Sequence, residues 1–174
     1  MTSSTPIETS RALRRLLLWA AFESLLVALH ALYAGSHYKN PGVYHVIVVA
    51  LFWFGLAATL SHQYSKHPGA VRRWLLFLFV AVPYIGIFGI VHGAVGHGLK
   101  LIFYHAGASP EQLATHFDFG DFVVPGDALF EVTGLGTFVV ALCVGYALHR
   151  FMKVTRVRRV APPFSSSRAA EAER

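Results

Sequence analysis

The sequence predicts an all-α integral membrane protein, a four-transmembrane-helix bundle with both termini cytoplasmic and a short extra helix in the outer connection between spans 3 and 4. Three observations carry this prediction. The composition is 55% hydrophobic and only 14% charged over 174 residues, against roughly 25% charged in a soluble domain. Four apolar runs are each long enough to cross about 30 Å of hydrocarbon. The basic residues cluster at the ends of those runs rather than being spread through the chain. The length fits one domain, and the single cysteine, Cys143, lies inside an apolar run. No intrachain disulfide or cysteine-based zinc site can therefore form.

Residues 1–10 are polar and read as a disordered N-terminus, and residues 11–150 as the membrane domain. Arg11, Arg14 and Arg15 precede the first run, Leu16 to Tyr33. This run exceeds a signal-peptide core, lacks a small-residue cleavage site at its end and is interrupted by Glu23, so it reads as a span at about 13–33. Asn40-Pro41-Gly42 is a turn signal before the second span, about 43–61. The polar, basic stretch Ser61 to Arg73 then leads into a third run, about 74–99, which has no formal charge.

That third run contains Pro83, a kink site, and Gly86, Gly89, Gly93 and Gly96, a small-residue stripe suited to close helix packing. Its expected partner is a second copy of the chain or a larger membrane complex. Ser109-Pro110-Glu111-Gln112 carries an N-cap, a first-turn proline and a third-position glutamine, which together start a short helix. The following HFDFGDFVVPGD alternates apolar residues with acids and is expected to lie at the interface or fold back over the bundle. The fourth span, about 128–149, ends in a basic cluster, and residues 151–174 read as a basic, disordered cytoplasmic tail.

Orientation follows from the basic residues near the span ends. Thirteen of the 15 Lys and Arg fall on the N-terminus, the second connection and the C-terminus, leaving Lys39 and Lys100 for the other side. The expected placement is multi-pass in the cell membrane, N-in and C-in. Seven of ten histidines then fall in the outer half: His30, His37, His45, His92, His97, His105 and His116. Asp118, Asp121, Asp127 and Glu131 join them.

Imidazole with carboxylate is a ligand set for copper, zinc or iron, and an ionisable group at membrane depth points to function. The expected transition-metal ligands are His30, His92 and His97, with His37 and His45 next and Asp127 and Glu131 completing the shell or orienting a ring. The site would serve metal handling or metal-dependent redox or hydrolytic chemistry. Glu23, about two helical turns from His30, is the expected deeper base or proton acceptor. His92 and His97 are five apart, roughly 140° on an ideal α-helix, so their convergence requires the glycine-rich helix to depart from α geometry. Asp127 alternatively caps the fourth span.

Two other readings compete with the metal site. A haem b electron-transfer subunit would pair His30 or His45 with His92 or His97 as axial ligands. A subunit without chemistry of its own would pack its glycine face on a larger complex. The sequence lacks H-E-x-x-H, E-x-x-H, G-x-S-x-G and phosphate-cradling loops, so it offers no support for standard zinc protease, di-iron, serine hydrolase or nucleotide sites. The formal charge of +6 reflects topology signals and contacts to lipid, not nucleic acid.

Overall fold

The computed structural model describes residues 6–117 and 125–157, and these fold into helices with no strand among them. The order is α1 (Pro6–His37), a 3-10 turn (Pro41–Tyr44), α2 (His45–Lys66), α3 (Ala70–Val80), a π-helical segment (Ala81–Leu99), α4 (Lys100–His105), α5 (Pro110–His116) and α6 (Ala128–Val157). Four stretches are long and apolar enough to cross a membrane: Pro6–His37, Pro41–Lys66, Ala70–His105 and Ala128–Arg156.

Each is longer than the sequence predicts, for local reasons. Pro6 occupies the first turn, where a missing N–H costs nothing, and Glu8 faces the positive end of the helix dipole. Residues 6–10, expected to be disordered, are therefore helical. At the other end α6 runs past 149 because Phe151 is fully buried against Tyr64, their rings 5.2 Å apart. Thr155 bonds back to the carbonyl of Phe151 at 2.9 Å. Residues 151–157 thus belong to the bundle and not to a disordered tail. The acidic stretch 118–124, with Asp118 and Asp121, and the chain after 157 lie outside the described residues.

The core joins Leu16, Ala20 and Val27 of α1 with Leu76 and Val80 of α3, Tyr84 of the π segment, and Val144 and Phe151 of α6. α2 is peripheral. It packs on α1 and α3, and its buried residues are only Ala50, Ala57, Ser61 and Tyr64.

The π segment fixes the rest of the architecture. A proline inside an α-helix collides with the carbonyl four residues earlier. Here the coil widens from Ala81, just before Pro83, and stays widened for 19 residues. Within it the glycines admit α6. A Cβ on Gly93 would sit 2.6 Å from both the Phe138 amide nitrogen and Thr137 Oγ1, and one on Gly89 would collide with Ala141. Thr137 Oγ1 donates to the Phe88 carbonyl at 3.0 Å across the same contact. Gly89 and Gly93, offered by the sequence to a partner, are instead covered by this chain's own α6. After α4 the chain reverses at Gly107, whose φ of 90° suits glycine. Ser109 and Gln112 form a reciprocal capping box at the start of α5.

Candidate metal centre

A π-helix hydrogen-bonds i to i+5, so residues five apart share one face of the coil. This places His92 and His97 on one face, which an α-helix would not do. Their ring centroids are 4.9 Å apart. His30 of α1 faces both, at 4.9 Å from His92 and 5.0 Å from His97. One ring nitrogen from each of the three lies within 4.8 Å of the others, close enough that small ring movements would bring all three onto a single ion at about 2.0–2.1 Å. His30 and His97 are buried and His92 is half-buried.

The partners of these rings decide which nitrogens are free. Thr133 Oγ1 donates its proton to carbonyls of its own helix, Leu129 at 2.7 Å and Phe130 at 3.1 Å. It can therefore only accept from His30 Nδ1, 2.9 Å away. This puts the His30 proton on Nδ1 and leaves its Nε2 lone pair free. His97 Nδ1 donates to Glu131 Oε2 at 2.7 Å, freeing its Nε2 in the same way. His92 Nε2 is buried with no hydrogen-bond partner among the described residues. Orientation of a ring through its second nitrogen is the usual support of a metal-ligating histidine.

Glu131 also binds Lys100 Nζ through Oε1 at 2.9 Å, so one buried carboxylate joins the π segment, α4 and α6. Phe130 stacks on His30 at 4.5 Å and lies 5.8 Å from the Lys100 ammonium. Gly134 is obligatory here, since any Cβ would overlap the His97 ring.

Beside the triad is a cavity of about 420 Å³ between α1, α2 and the π segment, and His30, His92, His97 and Lys100 form its polar end. His45 also borders it but is exposed, its Nδ1 bonded to the Gly42 carbonyl in the hairpin.

The remaining expected residues fall elsewhere. Asp127 caps α6 through the amides of Leu129 and Phe130, at 3.0 and 3.2 Å. Its other oxygen accepts from Tyr33 at 2.5 Å and Tyr38 at 3.2 Å. These bonds, Tyr33 foremost, hold its carboxyl below the usual range, while burial and then the Asp127 charge push Tyr38 up to about 12. His37 is exposed, stacks on Tyr33 and lies 3.7 Å from Asp127. His37 and Asp127 thus form a latch between the ends of α1 and α6, apart from the triad.

Glu23 is fully buried, and neither oxygen has a hydrogen-bond partner among the described residues. Beside it Ser24 and Tyr84 share a 3.1 Å hydrogen bond. It lies two turns of α1 from His30 and does not line the cavity.

Sequence reasoning missed Thr133, Phe130 and the pairing of Lys100. The usable signal was Glu131 with Thr133 two residues on, at the start of a span already facing a histidine-rich helix. Among the described residues, fold and site together define an all-helical protein with four helices of membrane-spanning length and composition and a largely buried three-histidine cluster. No protein-family model, curated protein or solved structure matches this chain.

Proposed function

We propose that this protein binds a transition-metal ion on His30, His92 and His97 and uses it for metal-dependent chemistry or metal handling from the outer half of the membrane. The observation that supports this reading is the hydrogen bonding of the rings. His30 and His97 are each tied through Nδ1, and His92 keeps a buried nitrogen with no hydrogen-bond partner among the described residues. A histidine cluster serving only as packing would satisfy that nitrogen, because an unpaired buried polar atom costs about 1–3 kcal/mol.

Three neutral imidazoles suit zinc, copper or iron, with one position left for water or substrate. The ion would supply Lewis acidity or a redox couple there. Glu131 would orient His97 and balance charge with Lys100. The placement of 13 of the 15 Lys and Arg at the opposite end of the spans supports an N-in, C-in orientation. A haem between His30 and His92 or His97 has less support, because the three rings meet edge to face at about 5 Å and leave no slot between them for a macrocycle, and His45 is tied through Nδ1 to the Gly42 carbonyl.

Elemental analysis of the detergent-purified protein, with its visible spectrum, tests the proposal. Near-stoichiometric metal without a Soret band is expected, and it should be lost on His92→Ala or His97→Ala at unchanged expression. A Soret band, or equal metal content in both variants, overturns it.

A further inference from the structure

The cavity beside the triad has two unlike ends. Its polar end consists of the three histidines and Lys100, while Ala31 and Ala34 of α1, Val46 and Val49 of α2, and Ile87 and Phe88 of the π segment wall the rest with hydrocarbon. A site for a water-soluble substrate would place polar groups around the whole ligand to replace its hydration. Here four of the five polar side chains in the lining gather at one end, and the fifth, His45, is exposed at the start of α2. At about 420 Å³ the space lies within the roughly 300–1,000 Å³ of small-molecule sites and far exceeds what a bare ion and a water need.

Its position indicates where a ligand comes from. α2 leans on α1 and α3, and its first turn is only loosely covered: Val46 and Ile47 are half-buried, and Val48 and Val49 are exposed. Val49 thus joins the cavity wall to the exposed side of α2, within a stretch long and apolar enough to cross a membrane. The charge at the polar end is complementary to an anion. The Lys100 ammonium and the Glu131 carboxylate pair with each other, so a divalent ion on three neutral imidazoles would leave that end net positive.

Resting on the metal reading above, we infer that this cavity takes a single-chain amphiphile from the bilayer, whose anionic oxygen head completes the coordination of the ion and whose hydrocarbon tail lies between α1, α2 and the π segment. Val46 and Val49 set how much tail fits, and neither is among the residues that hold the metal.

The test uses purified, Co(II)-loaded full-length protein and two probes with the same metal-binding head, acetohydroxamate and octanohydroxamate, read by the visible d–d spectrum of Co(II). Octanohydroxamate should perturb the spectrum at concentrations at least tenfold lower than acetohydroxamate. Val46→Trp, and independently Val49→Trp on the lipid-exposed side of the same wall, should keep the Co(II) spectrum and the acetohydroxamate affinity. Both should reduce the advantage of the long chain at least tenfold. Partitioning of the long probe into micelles is the same for all three proteins, so the variants isolate the cavity. Equal affinity of wild type for the two probes, or an undiminished chain-length advantage in both folded variants, overturns the inference and leaves the metal site standing. Absence of histidine-dependent Co(II) bands overturns the metal reading and this inference together.

Discussion

At the scale of single residues, the site depends on second nitrogens. Glu131 fixes His97 and Thr133 fixes His30, so Glu131→Gln or Thr133→Val should lower metal affinity about 10–100-fold, the usual effect of losing such a partner. Competitive metal titration of each variant would show it, and an unchanged affinity would place the ion elsewhere. Protonated imidazole cannot ligate, so acidification should release the metal, and a metal content unaffected by acid would argue against histidine ligation.

Asp127 gives a separate, structural pH dependence. Its folded-state value is held below the ordinary 3.8, chiefly by Tyr33. The charged form therefore stabilises the fold fully above the ordinary value, and the benefit fades as the pH falls from there through the lowered folded-state value. Asp127→Asn keeps a competent helix cap but weakens the bonds to Tyr33 and Tyr38. It should cost about 1–2 kcal/mol at neutral pH, with the gap to wild type closing as acid protonates Asp127. Unfolding followed at neutral and at acid pH would show whether the gap closes; a constant gap would mean that the charge is not what matters.

At the scale of elements, the π segment carries the design. Pro83 forbids regular α geometry, the widened coil brings His92 and His97 onto one face, and Gly89 and Gly93 let α6 approach closely enough to deliver Glu131 and Thr133. Gly93→Ala would push a methyl group into the Phe138 backbone and Thr137. It should destabilise the protein by about 1–3 kcal/mol, as overpacking does. In Gly134→Ala the three atoms nearest the new methyl all belong to the His97 ring. This substitution should abolish metal retention while leaving the circular dichroism spectrum unchanged, and metal retention at wild-type level would show that His97 is not a ligand.

At the scale of the whole molecule, the four long helices form two unequal sets. α1, α6 and the π segment make the tight core that holds the triad, while α2 stands at the edge and leaves the cavity beside it. The proposed orientation places Lys39 outside and Lys153 inside. In a Cys143→Ser background, a membrane-impermeant thiol reagent added to intact cells should label a cysteine introduced at Lys39 but not one at Lys153. The reverse pattern would move the triad to the inner leaflet and overturn the outward-facing site.

Much of this was legible in the residues. Hydropathy determined the all-helical class and the four apolar spans, because backbone polar groups in hydrocarbon must bond within their own segment. The same reasoning drew attention to His30, His92 and His97, since ionisable groups at that depth are rare without a use. Span ends were less legible: whether residues 6–10 and 151–157 continue a helix depends on burial by other elements, as with Phe151 against Tyr64. Tertiary structure alone separated the histidines. His37 and His45 have the same chemistry as His30 and sit nearby in sequence, yet one stacks on Tyr33 at an exposed helix end and the other is tied into the hairpin turn. It also decided that five-residue spacing means convergence, because Pro83 and the close approach of α6 at Gly89 and Gly93 accompany a coil that periodicity alone would read as α-helical. A ligand set joins residues distant in the chain, and only packing settles which ring nitrogens share one point in space.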